Sequence, residues 1–189
     1  IGNGANLAYT RNPFESVNGF TGIDHIASGD DMLLLHKIRS KFPGGVHYIK
    51  AKEVIVYTQP VVSVSDFFQQ RIRWASKAGS YKDKSLFPVL LVVYLLNLLL
   101  LLTPFASLLD NGKIHFAQYE FSLLSAWLLL ILIKTIVELF FLYPVAVFFG
   151  KQKLLWLFPL MQPFHIVYTV VAGFLGKFGA YRWKERKVK

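Results

Sequence analysis

No cysteine occurs in the 189 residues, which excludes disulfides and thiolate metal centres and fits a reducing compartment without defining one. Acid is scarce as well: 11 Asp and Glu stand against 21 Lys and Arg, a formal net charge of +10. Such an excess can neutralise nucleic-acid phosphates, but its placement argues against that partner. The cations gather before the first long apolar run, at Lys151 and Lys153 between runs, and in the tail from Lys177 to Lys189. That is how the positive-inside bias places charge around membrane helices. No secretory signal, with a charged start and a short apolar core, opens the chain. Ile1 leads instead into Gly2-Asn3-Gly4-Ala5-Asn6, a turn-rich string with no strand before it. The expectation is a C-terminal piece of a longer protein, whose soluble part is small for an independent core. His25, His36 and His47 show no metal-ligand spacing.

What is abundant is apolar, 54 % of the chain, and unevenly spread. Residues 1–85 are mixed, whereas residues 86–176 are dominated by Leu, Phe, Val and Ile. Two modules follow from that shift. In the first, Pro13 suits the start of a helix over residues 11–17, which Asn18-Gly19 ends. Residues 21–29 are turn-rich. Met32, Leu33, Leu35, Ile38 and Phe42 are spaced for the buried face of a helix stopped by Pro43-Gly44-Gly45. Two short strands are expected at 46–49 and 54–58, the second rich in β-branched residues. This order predicts an α/β fold for residues 1–63, the closing half of such a domain. An amphipathic helix is expected within 64–85. Residues 86–109 and 121–149 are each long enough to cross a bilayer core, which takes about 20 apolar residues. A third apolar segment, 154–175, is interrupted by Pro159, Gln162, Pro163 and His165. If residues 1–85 are cytosolic, two crossings return Lys151 and Lys153 to that side, and a third complete crossing would export the basic tail 177–189. Either the tail breaks the charge bias or the third segment is kinked, re-entrant or interfacial.

Three places can carry chemistry. Ser28-Gly29-Asp30-Asp31 precedes an apolar helix and matches a capping pattern; a carboxylate anchored at a helix start can also take a proton from an attacking hydroxyl. On the amphipathic helix Gln70, Arg73, Trp74 and Lys77 share one face and Val64, Phe68, Ile72 and Ala75 the other. Arginine offers forked donors to phosphate oxygens and tryptophan a flat face to a sugar, yet the same residues also suit an interface anchor under lipid headgroups. Lys134 and Glu138, one turn apart, suit an ion pair within a span.

Gly4-Ala5-Asn6-Leu7-Ala8-Tyr9, Val17-Asn18-Gly19-Phe20, Ser28-Gly29-Asp30-Asp31 and Gln70-Arg71-Ile72-Arg73-Trp74, in this order, resemble the second half of a membrane-bound family 2 glycosyltransferase, the broad group of the cellulose, hyaluronan and poly-N-acetylglucosamine synthases. A lone Asp-Asp is weak, but Gly-Asp-Asp followed about forty residues later by Q-x-x-R-W and then by apolar spans requires independent motifs to coincide. The resemblance implies a GT-A-type domain that inverts the sugar in one displacement. Asp31 would be the general base; Arg73 would approach the donor diphosphate and Trp74 the acceptor sugar, with Gln70 in the same motif. Asp30 takes the variable place before the base, and its role stays open, as does that of His25. The donor would be a cytosolic nucleotide sugar, UDP-sugar preferred, and the acceptor a polysaccharide or lipid-linked sugar at the inner or plasma membrane of a bacterium. Mg²⁺ or Mn²⁺ is expected for the complete enzyme, but the D-x-D that would hold it is not in this sequence. This polypeptide alone is therefore expected to be inactive. The rival is a non-catalytic membrane anchor or translocation module whose basic helix binds anionic headgroups.

Overall fold

Residues 4–26, 29–77, 86–109, 113–116, 119–183 and 186–188 are described by the computed structural model. A 3₁₀ turn, Gly4–Asn6, precedes α1 (Arg11–Ser16), and α2 spans Asp30–Lys41. Leu33, Leu34 and Ile38 of α2 bury against Ile23, with Phe14, Val17, Ile26, Phe42 and Val46 around them. Two lysines tie α2 to the end of α1: Lys37 Nζ donates to the Gly19 and Thr21 carbonyls at 2.6 and 2.9 Å, and Lys41 Nζ to the Ser16 carbonyl at 2.5 Å. The Ser16 bond occupies a carbonyl of the helix end that would otherwise lack a donor, and the other two pin the turns that follow it. Asn18 and Gly19, at φ 55° and 50°, make the left-handed exit that the Asn-Gly pair suits.

The α/β expectation fails here. Residues 46–49 and 54–58 form no strand; a 3₁₀ turn, Lys52–Val54, separates two extended stretches. β-branched residues favour extended backbone, but a strand exists only against a neighbour, and none lies beside these stretches among the described residues. Tyr48 and Tyr57 are 79 and 82 % exposed. The fold is all-α, with two short antiparallel pairs as its only strands among the described residues: β1 (Lys113–Phe116) with β2 (Tyr119–Ser122), and β3 (Tyr181–Trp183) with β4 (Arg186–Val188).

α3 spans Val64–Ser76. The remainder of the expected helix, 78–85, lies outside the described residues. Its start is a reciprocal cap: Ser63 Oγ accepts from Asp66 N–H at 3.0 Å and donates to Asp66 Oδ2 at 2.7 Å. α4 (Leu86–Leu109) and α5 (Leu123–Phe148) are long and apolar enough to cross a membrane, with only 11 % of either span's most apolar window buried in the protein. So much uncovered apolar surface does not suit the core helices of a water-soluble domain. Within them, Thr103 and Thr135 return their hydroxyls to the Leu99 and Ile131 carbonyls, so no water is needed. The turn expected at 110–113 lies largely outside the described residues.

The third apolar segment is not one helix. Gln152–Leu157 is 3₁₀, turns follow, and α6 runs only from Gln162 to Phe178 with Pro163 in its first turn, where proline is tolerated. Trp127 Nε1 donates to the Leu100 carbonyl at 2.7 Å and sets the register of the α4–α5 hairpin, so Tyr94 and Lys134 lie at nearly one level. α6 meets α5 at Lys134 through Gln162 and His165, and meets α4 at Tyr94 through Gly173. These contacts are roughly ten residues, about 15 Å, apart along α6 yet level on the hairpin. α6 therefore runs across the hairpin rather than along it.

α3 lies parallel to α6. Phe67 and Phe68 pack on Phe164, Ile72 is buried beside Ala172, and Gly176 meets Ala75 and Ser76. Thus most of the apolar face expected for α3, Phe68, Ile72 and Ala75, is covered by protein, while Val64 is exposed. A Cβ at Gly176 would stand 2.7 Å from Ala75 Cβ and 2.9 Å from the Ser76 nitrogen. Helix propensity favours a side chain over glycine by about 1 kcal/mol, but overpacking costs about 1–3 kcal/mol, and backbone cannot yield as a side chain tip does. Gly176→Leu is expected to lower the thermal midpoint in detergent by several degrees, followed by circular dichroism; an unchanged or raised midpoint would contradict this packing.

Candidate functional site

The expected base sits at the first turn of α2. The N-cap is Gly29, left-handed at φ 94° and without a side-chain cap; Ser28, the expected cap, lies outside the described residues. Asp31 is anchored on both oxygens: Oδ2 accepts from Gly4 N–H at 2.7 Å and Oδ1 from Met32 N–H at 2.8 Å. A Cβ at Gly4 would come within 3.4 Å of Oδ2, so the Gly4–Asn6 turn lies against this carboxylate. Asn6 continues the link, its Nδ2 donating to the Val54 carbonyl at 2.8 Å. Asp30 points to solvent.

The last turns of α3 bring the cations to this loop. Lys77 crosses Gly29 so closely that a Cβ there would be 2.9 Å from its Cδ and 3.2 Å from its Nζ. Burial holds the Arg73 guanidinium below its ordinary value, against the pull of Tyr181 and Asp31. Burial, then repulsion from Arg73, lowers the Lys77 ammonium, while Asp31 and Asp30 act the other way. Each cation thus feels the Asp31 charge, and each is stripped of part of its water. Tyr181 of β3, buried beside Ile72 and Ala172, closes the side of α3 from which it acts on Arg73.

Of the expected residues, Asp31 lies near enough for its charge to act on Arg73, and Asp30 and Asp31 both act on Lys77, the residue that crosses Gly29. Gln70 is half-buried on the same helix. Trp74 is 46 % exposed, with the Arg71 guanidinium 4.5 Å from its ring centre. Arg71 also faces the Phe67 and Tyr168 rings at 4.7 and 5.8 Å, an aromatic enclosure in which cation–π attraction is enhanced by lost water. His25 stands apart, exposed and 4.0 Å from Asp24.

A second polar cluster lies on the hairpin. Lys134 is bonded to both Glu138 oxygens at 2.8 and 2.9 Å, to Gln162 Oε1 at 2.7 Å and to His165 Nδ1 at 3.2 Å, and Gln162 Nε2 donates to Glu138 at 2.7 Å. The ion pair was legible as one helical turn; its partners on α6 were visible only as polar interruptions of an apolar run. Arg71 and Tyr181 carried no comparable signal. Among the described residues no three His, Asp or Glu side chains gather as a divalent cation would require, so these residues do not fit a metal site complete in itself. No family model matches the sequence, and neither a curated protein nor a solved structure matches it.

The Lys134 ammonium meets Glu138, Gln162 and His165 at once, and removing it strands its partners. Lys134→Met is expected to destabilise the protein by on the order of 3 kcal/mol, moderated because Glu138 reaches solvent. Adding Glu138→Leu should recover most of that loss in a detergent–denaturant titration. Equal losses in the single and double variants would show that the ion pair is not the source.

Proposed function

We propose that this chain supplies the base and the anion-facing wall of an inverting glycosyltransferase that moves a sugar from a nucleotide-sugar donor to a polysaccharide or lipid-linked acceptor at a bacterial inner or plasma membrane. The observation that carries the reading is the approach of the Gly29-Asp30-Asp31 loop to the Arg73–Lys77 turn of α3. In such a displacement the acceptor hydroxyl attacks the anomeric carbon, the bond to the diphosphate breaks, and the diphosphate leaves with the electron pair. Asp31 takes the hydroxyl proton, and Arg73 steadies the leaving charge by forked hydrogen bonds. Trp74, partly exposed and steadied by Arg71, offers a flat face to the acceptor ring. The complete enzyme would draw Mg²⁺ or Mn²⁺ ligands from residues outside this sequence, and the metal would offset leaving-group charge.

Two further features support this over a headgroup-binding anchor. Most of the apolar face of α3 is spent on α6 rather than offered to lipid. The transverse path of α6 returns Tyr181 to α3, which suits a loop, a cation face and a basic tail on one side of the bilayer. In the full-length protein in membranes, Asp31→Asn is expected to cut sugar transfer by at least about a thousandfold while donor binding stays within about twofold. Arg73→Ala should instead weaken donor binding. Turnover retained in Asp31→Asn, measured with radiolabelled nucleotide sugars, would remove the base assignment.

A further inference from the structure

The chain leaves α5 in a sharp turn. Lys151 N–H donates to the Ala146 carbonyl at 2.8 Å and Gly150 N–H to the Val147 carbonyl at 3.1 Å, with Gly150 left-handed at φ 64°, the paired bonds of a Schellman ending. The 3₁₀ segment Gln152–Leu157 then packs against the end of α5. At about three residues per turn, side chains three apart share a row. Leu155 is half-buried, as is Phe158 just past the segment, so this row faces the protein. The other two rows, Leu154 with Leu157 and Lys153 with Trp156, are exposed, and Leu160 is exposed just beyond them. Trp156 presents 87 % of its surface, so leucines and an indole form one uncovered apolar patch.

Two observations say what covers this patch. It begins within a few residues of the end of a membrane-length helix, the level at which tryptophan and lysine gather around a bilayer. Its charge is of one sign. Lys151 and Lys153 are exposed and pair with no carboxylate among the described residues, and no Asp or Glu stands between Glu138 and Glu185. Lys50 adds a cation at the same end of α5, its Nζ 6.0 Å from the Phe148 ring centre.

Independently of the transferase reading, we infer that the 151–160 elbow is a docking surface for anionic phospholipid. Leu154, Leu157 and Trp156 enter the acyl boundary, while Lys151 and Lys153 hold headgroup phosphates. An apolar row sunk below a cationic edge is how an interfacial segment binds, and each lysine beside such a surface favours anionic over zwitterionic lipid roughly fivefold.

The absence of cysteine lets a single bimane be placed at Leu157→Cys in the full chain, in nanodiscs carrying a small fixed share of nitroxide-labelled phosphatidylglycerol or phosphatidylcholine. Phosphatidylglycerol is expected to quench as if enriched at least about tenfold near the probe. Lys151→Gln with Lys153→Gln should bring the two lipids within about twofold of each other without changing quenching by phosphatidylcholine, and Lys151→Arg with Lys153→Arg should keep the preference. A bimane at Val92→Cys, exposed on α4, gives the reference for lipid contact. If neither lipid quenches the probe at 157 while both quench that at 92, the elbow lies in water or under a second copy, and the inference falls. Equal quenching at 157 by the two lipids, or a preference that survives loss of both lysines, overturns it as well.

Discussion

The close passage of α3 over α6 at Gly176 is the contact on which the rest of the arrangement depends. Without a side chain at 176, the Ala75–Ser76 backbone comes to van der Waals distance of α6, and Ile72 can sink beside Ala172 and Tyr181. That seating places Arg73 and Lys77 on the opposite side of α3, toward Gly29 and Asp31. The small α1–α2 unit and the long hairpin are thus joined through one helix pair. A shift along α6 would carry the cations away from the carboxylate, because the two faces of α3 turn together.

Two polar clusters divide the electrostatic work. At the α3 loop, Arg73, Lys77 and Asp31 are half-buried and Asp30 is exposed, so the cluster stands at the edge of solvent. Where α5 meets α6, Lys134, Glu138, Gln162 and His165 satisfy one another, and such a closed set within apolar helices fixes geometry instead. Tyr168 links the neighbourhoods, its ring against His165 on one side and the Arg71 guanidinium on the other. The α6 crossing is held at its start by the closed cluster and near its end by Gly173 and Gly176.

Periodicity made the helices legible because it reports a local property: α4 begins and ends at the expected residues 86 and 109, and α5 lies within 121–149. The Asp31 and Arg73 positions were legible as motifs. Strands at 46–49 and 54–58 were not foreseeable as absent, since β-branched composition describes backbone preference and pairing is decided by a neighbour. Gly173 and Gly176 looked unremarkable in an apolar run; their meaning lies in Tyr94 and Ala75, which are distant in sequence. Lys77 was visible on the polar face of α3, but its partner Gly29 appears only once the loop is folded against it. Tyr181 sits in a basic tail whose charge pattern says nothing of a buried phenol.

The natural absence of cysteine permits a direct measurement of the central claim, that the Asp31 loop faces the cation turn of α3. A chain carrying Asp30→Cys and Lys77→Cys would be treated with a short bifunctional maleimide in membranes and analysed by mass spectrometry for an intramolecular bridge. The account predicts rapid, near-complete bridging of residues 30 and 77 at low protein concentration. Two separately modified thiols with no bridge, in protein whose melting behaviour is that of wild type, would contradict it.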